Sequence, residues 1–410
     1  MTPYQSDFLL LVNELRHNHL GLVDTPLPSF PMDVFEREVE DTARQLESIG
    51  SEADFFMIVS KFLAKLNDAH TYLSPGTGFE WGPTLPLDFA WVGDELYIVQ
   101  SHVPELRHAR VIALNDLPLA KFEQHVNQYL SRDRGNVPYL RRYPRGNTSL
   151  MVRREVFQDQ ESVDMVVETN GTTHTVCVPF ETGIIQPLPD FCRNTITRFR
   201  EGNHWQIVED DTIYLQLNSL PVRYDSQLFD ELFLTAHQKG LRHLILDLRN
   251  NRGGWAGWND EFLRYVVKRR TALLVFKGWR RNGERNVPER DGYLVVEPIR
   301  RLPPFEGQIY ALVGPVTWSS GTFFAVAIKD NELGLLVGQP CGSNCFRYGH
   351  TYSIPLPNAL CTFISSSRIW ERTLATYEEF ITPHVNITYT IDDVREQKDP
   401  VFDWVMSHRA

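Results

Sequence analysis

The strongest constraint on this chain is a series of short, unbroken apolar runs in its second half, each followed by a helical pattern. "DTIYLQLNSL" leads to "QLFDELFLTAHQKG", "LRHLILDLR" to "WNDEFLRYVVKR", and "IYALVGP" to "TFFAVAIKD", before "LGLLVGQ". Strands that are apolar on both faces and alternate with amphipathic helices predict an α/β unit, a mostly parallel sheet covered by helices. Ligands of such sheets bind beyond the carboxyl ends of the strands, so the turns that leave those ends are where chemistry is sought.

The front half has a different texture. Up to about residue 82, "DVFEREVEDTARQLESIG" and "EADFFMIVSKFLAKLND" carry apolar residues at three- and four-residue spacing and predict helices. From Pro86 short strands follow: "LDFAWV", "ELYIVQS" and "ARVIALN". Then come a helical "LAKFEQHVNQYL" and a hairpin through Asn170-Gly171. The expected organisation is a helical segment (1–82), a small α+β segment (83–190) and an α/β domain (191–410). A chain of 410 residues exceeds one compact core, in keeping with several domains.

Bulk properties exclude some functions. The net charge is −11, which argues against nucleic-acid binding, because phosphate contact needs a basic footprint. The five cysteines (Cys177, Cys192, Cys341, Cys345, Cys361) form no disulfide framework, and "PCGSNC" has no partner pair, so neither a metal nor a cofactor is expected. No apolar run reaches the length of a membrane span. The opening "MTPYQSDFLLLVNELRHNHL" does not read as a signal peptide, and the expected location is cytoplasmic unless a leader has been removed.

Two strand-end turns are unusual. After "HLILDL" the turn "RNNRGG" holds Gly253 and Gly254, and paired glycines let backbone N–H groups face a ligand. After "IYALVGP" the turn "VTWSSG" places Ser319 and Ser320 ahead of a helix. They read either as helix caps or as a nucleophile at the positive helix end. A serine nucleophile needs a base. His70, in the polar break "LNDAHTYLSPG", is one candidate, and His350, in "FRYGHTY", is its rival.

These phrases resemble the tail-specific serine peptidases, a family that includes C-terminal processing proteases, the tricorn core and the interphotoreceptor retinoid-binding protein. "LILDLRNNRGG", "VTWSSGTFFAVAIKDN", "LLVGQP" and "IPLPNA" carry the likeness. "LNDAHT" resembles the histidine phrase of the tricorn-like branch, and "HARVIALNDLPLAKF" a PDZ domain. The resemblance implies a ClpP/crotonase-like catalytic domain and a PDZ-like segment that holds a peptide end by strand addition. It places Ser319 as nucleophile and His70 as base. Ser320 and one of Gly253 or Gly254 become the oxyanion donors.

The lysine of one branch falls near Asn344 here, and the nearby Arg347 cannot act as a base at neutral pH. The acid that completes the set falls on Glu378 or Glu379, with Asp68 the alternative partner of His70. The chain departs from the family at Ala69, Thr322, Asn344 and His384. Trp255, Trp258 and Trp318 flank the expected site and are candidates to line a substrate cleft.

The expected activity is therefore metal-independent hydrolysis of a peptide or protein at neutral to mildly alkaline pH. The alternatives are an esterase or amidase for a small molecule or modified biosynthetic peptide, and a non-catalytic binder of a hydrophobic ligand.

Overall fold

The computed structural model describes residues 1–23, 30–80, 82–83, 85–101, 103–133, 160–181, 202–209, 211–223, 226–281, 284–286, 292–344, 347–373 and 380–409. Its centre is the sheet that the apolar runs predict. Strands Thr212–Gln216, His243–Asp247, Gln308–Val313, Leu335–Gly338 and Val385–Asn386 lie side by side and parallel. His204–Glu209 adds one antiparallel edge. All five residues of each of the first two strands are buried, because both faces are covered. On one face the helices Ser226–Lys239, Gly257–Arg264 and Ser320–Asp330 contribute Phe229, Phe233, Phe262 and Phe324. On the other, Val401, Phe402 and Val405 of the helix Pro400–His408 meet Tyr214, Ile245 and Leu312. Each such side chain contributes about 1.5–3 kcal/mol on burial.

A second sheet is absent from the sequence reading. Cys361–Glu371 pairs with Tyr72–Pro75, Arg347–Pro355 and Thr271–Arg281, all antiparallel; Thr271–Arg281 also takes Glu284–Asn286 and Gly292–Val296. Its central strand reads "CTFISSSRIWE", and the serine run hides it, since strand patterns are read from apolar residues. Here Ser365, Ser366 and Ser367 are all buried. This sheet joins the front of the chain to its back, with Tyr72 opposite Ile364 and Pro75 opposite Cys361.

The N-terminal segment is helical as expected, with Pro3–Asn18, Met32–Gln45 and Glu52–Ala64 as its main helices. Thr2 and Gln5 form a capping box on the first, and Ser51 caps the third. Their core also takes in Leu356, Cys361 and Phe363 from the far end of the chain.

The third sheet is antiparallel and holds Leu87–Val92, Glu95–Ser101, Arg110–Leu114, Ser162–Thr169 and Thr172–Pro179 in that order, with the helix Leu119–Asn127 beside it. Asn170 and Gly171 both have positive φ, as a two-residue hairpin turn requires. Among the described residues no helix is long and apolar enough to cross a membrane.

Candidate active site

Ser319 sits at the end of the turn after Gln308–Val313, one residue before the helix Ser320–Asp330. Its φ of 52° and ψ of −125° lie in a region that non-glycine residues rarely occupy, and holding it there costs about 1–3 kcal/mol. Although it occupies the capping position, its side chain makes no capping bond. The hydroxyl instead lies 3.0 Å from Nε2 of His70. Neighbouring bonds fix the turn. The Ser319 N–H donates to Ser343 Oγ at 2.8 Å, the Trp318 N–H to the Asn251 carbonyl at 2.9 Å, and the Thr317 hydroxyl to the Leu248 carbonyl at 2.8 Å.

The glycine turn is pressed against this one. A Cβ on Gly253 would stand 2.7 Å from Ser319 Cβ and 2.8 Å from the Ser320 nitrogen, so only glycine fits. A Cβ on Gly254 would fall 2.1 Å from the Leu220 carbonyl oxygen. Asn251, fully buried, links the two turns through its carbonyl, which accepts the Trp318 N–H, while its Oδ1 accepts the Gly253 N–H at 2.8 Å and its amide donates to the Leu217 carbonyl. With the Gly253 N–H committed to Asn251, Gly254 and Ser320 are the oxyanion donors of the sequence reading that remain. Ser320 donates its hydroxyl to the Gly254 carbonyl at 2.7 Å, which binds the turns together again.

Arg249, at the root of the glycine turn, is buried and bonds to Asp247, Asp399 and Tyr389. The two carboxylates keep its guanidinium protonated despite burial, and Asp399 also caps the helix Pro400–His408.

His70 arrives from the other side of the molecule. Asn67, with φ of 51°, ends the run from the helix Glu52–Ala64, and the chain then enters Tyr72–Pro75. Between them Asp68 organises the turn. Its Oδ1 accepts the His70 N–H at 2.8 Å. Its Oδ2 accepts from the hydroxyls of Thr71 and Ser366, each at 2.6 Å, and lies 3.2 Å from Nε2 of His19. Burial alone would raise the Asp68 carboxyl. The hydrogen bond and charge of His19, with His70 and Ser366, outweigh it and hold the group below its ordinary range.

Asp68, His70 and Asp133 bring donor atoms within 4.8 Å of one another. Both Asp68 oxygens and both Asp133 oxygens already accept amide or hydroxyl donors, so the cluster is built as an acid–imidazole network.

The tryptophans do not form one cleft. Trp318 stacks on the His70 ring, with centroids 4.3 Å apart and planes 15° from parallel, and so braces the imidazole. Trp258 is a core residue: it is buried, packs edge-on against Phe229, and donates its indole N–H to the Pro221 carbonyl. Its place in the helical pattern of "WNDEFLRYV" is the reason. Trp255 alone is exposed, at 46%, beside the glycine turn, with Val222 open to solvent nearby in the chain that pairs with Gly254.

The rival base His350 pairs through Nδ1 with Ser367 Oγ at 3.1 Å. His384 is structural, its Nδ1 accepting the Leu336 N–H. Thr322 donates its hydroxyl to the Thr317 carbonyl, and Ala69 packs on Trp318. Glu378, Glu379 and Cys345 lie outside the described residues.

Sequence reading missed His19, Asn251, Asp133, Ser343 and Ser366. Only Asn251, inside "RNNRGG", had a local signal. The others act through contacts 24 to 298 residues away in sequence.

Residues 211–387 match the family described as Peptidase family S41. No curated protein matches the chain. Mature CPAF complexed with lactacystin superposes with a TM-score of 0.69 at 14% identity, over 99% of this chain and 97% of that one. A second mature CPAF structure gives 0.66 at 14%, over 98% and 95%. A Parabacteroides merdae protein, solved as a candidate peptidase, gives 0.55 at 14%, over 99% and 96%. At these identities the likeness establishes the fold.

Proposed function

We propose that this chain is a serine-type peptidase of family S41, which the match across residues 211–387 supports, with Ser319 as its nucleophile and His70 as its general base. The observation that carries the assignment is the 3.0 Å approach of His70 Nε2 to the Ser319 hydroxyl, between residues 249 positions apart. Neutral His70 takes the hydroxyl proton as Ser319 Oγ attacks the scissile carbonyl carbon. The oxyanion that forms lies toward the N–H groups of Gly254 and Ser320, at the positive end of the helix Ser320–Asp330. Collapse of the tetrahedral intermediate breaks the C–N bond, and the His70 proton leaves with the amine. Water, deprotonated by His70, then hydrolyses the acyl-enzyme.

The supporting cast fits these roles. Asp68 fixes the His70 backbone, His19 keeps Asp68 ionised, and stacked Trp318 holds the imidazole plane and favours its cationic form. The antiparallel segment around Leu119–Asn127 is the proposed PDZ-like seat for a substrate end. Trp255, at the open side of the glycine turn, is the proposed contact for an apolar substrate side chain.

The test is labelling with a fluorophosphonate followed by peptide mapping. The expected adduct is on Ser319, and Ser319→Ala abolishes both label and peptide hydrolysis while the circular dichroism stays that of the parent. An adduct on Ser320, or hydrolysis surviving Ser319→Ala, would overturn the assignment.

A further inference from the structure

The dyad works only if two turns from opposite ends of the chain stay at hydrogen-bond distance. One buried carboxylate outside the mechanism above touches the first turn and the loop that holds the second. Asp133 follows the helix Leu119–Asn127 and is 3% exposed. Its Oδ1 accepts the Ala69 N–H at 3.3 Å and its Oδ2 the Asn344 N–H at 3.2 Å. Ala69 directly precedes His70. Asn344 directly follows Ser343, whose hydroxyl accepts the Ser319 N–H at 2.8 Å. A carboxylate oxygen of Asp133 also lies within 4.8 Å of a His70 ring nitrogen.

We propose that Asp133 is a positioning residue for the reaction, clamping the turn of the base to the Ser343–Asn344 loop that holds the turn of the nucleophile, and setting its negative charge beside the imidazolium that forms during attack. The proposal rests on the Ser319–His70 reading. It needs no contact with substrate.

The physical case has two parts. First, a carboxylate that accepts one amide from the base turn and one from the loop bonded to the Ser319 N–H resists their separation, and small misplacements of a base are expensive in rate. Second, Asp68 and Asp133 face each other as like charges in a buried site, and such charges repel. A proton taken up by His70 relieves that repulsion, so the imidazolium is favoured at the moment of attack. The other groups at this point are His19, behind Asp68, and Tyr348 of the strand Arg347–Pro355. Burial, then the charges of Asp68 and Asp133, keep the Tyr348 phenol protonated.

The experiment measures the rate of fluorophosphonate labelling of Ser319 against pH, in the full chain, for the parent, Asp133→Asn, Asp133→Glu and His70→Ala. Asp133→Asn is expected to slow labelling at neutral pH by about 10- to 100-fold. Its midpoint should also move to lower pH, by about one unit, because the imidazolium loses a nearby negative charge. Asp133→Glu, which keeps the charge but not the reach, should hold the parental midpoint at a reduced rate.

A parental rate and midpoint in Asp133→Asn overturn the proposal, as does a reduced rate with an unmoved midpoint, the mark of a merely structural role. If Asp133→Asn fails to fold by circular dichroism, Asp133→Glu decides: a parental plateau or a displaced midpoint overturns the clamp. Failure of the dyad itself looks different, with the parent unlabelled at Ser319 or His70→Ala labelled as fast as the parent.

Discussion

The turn that carries Ser319 and the turn that carries His70 meet at one hydrogen bond but are held in different ways. The serine turn stands on continuous parallel strands and is fixed mainly through backbone carbonyls: those of Leu248, Thr317 and Asn251 are anchors beside the Ser343 hydroxyl, and glycines give it room. The histidine turn stands at the end of a helical segment. It is fixed by side chains: Asp68, His19, Thr71 and Ser366 form one buried polar knot. The first arrangement joins the ends of neighbouring parallel strands and rests on steric fit. The second exists only when distant segments have come together, and its strength depends on ionisation. Steric perturbation should therefore damage the serine turn, and acid the histidine turn.

The largest effect expected from that contrast is at Gly253. Gly253→Ala would drive a methyl into Ser319 Cβ and the Ser320 backbone, neither of which is the yielding end of a flexible side chain. Displacing the oxyanion turn should lower kcat by about 10²–10³-fold, the effect of losing one oxyanion donor. Steady-state kinetics on a peptide substrate would check this. A variant with parental kcat would mean that the two turns are not in mechanical register.

Next comes the acid response of the histidine turn. The Asp68 carboxyl is held below its unfolded range. It therefore contributes stability that is fully present above that range and is lost as pH falls through the folded value. Urea unfolding at a series of pH values should show stability declining below about pH 4, where unfolded carboxyls take up protons. Asp68→Asn should flatten that decline and lose about 1–3 kcal/mol at neutral pH. An equally steep acid limb in Asp68→Asn would assign the acid sensitivity elsewhere.

The smallest effect sharpens the comparison from within the serine turn. Thr322 donates its hydroxyl to the Thr317 carbonyl, so Thr322→Ala should cost about 1 kcal/mol by thermal melting. Its kcat should stay within a few-fold of the parent, in keeping with a residue whose departure from the family pattern is structural.

The same contrast explains what the sequence made legible. The parallel strands, their helices and both strand-end turns were readable because apolar continuity and glycine pairs are local signals. Ser319 could be placed, and His70 proposed as its partner, from phrases of a few residues. The serine-rich strand Cys361–Glu371 gave no apolar pattern, so neither its sheet nor the contact of Ser366 with Asp68 was foreseen. Trp258 was misplaced because an indole near a site and an indole in a helix core look alike until the helix face is known. Asp133 had no signal of its own: an aspartate after a helix becomes significant only when residues 69 and 344 are brought to it.

The pairing of Tyr72–Pro75 with Cys361–Glu371 also sets a clock on synthesis. Residue 70 leaves the ribosome first, and the strand that seats its turn, with the Ser366 hydroxyl that completes the Asp68 knot, is made nearly 300 residues later. At roughly 5–20 residues per second the gap is of the order of tens of seconds. Throughout that interval His70 first has no Ser319 to meet, and then Ser319 faces a turn that is not yet seated. Closing so long a loop is a late step in folding, since non-local strand pairing must wait for both partners. A chain that stops short of Cys361–Glu371 therefore lacks the strand and the Ser366 hydroxyl on which the His70 turn is seated.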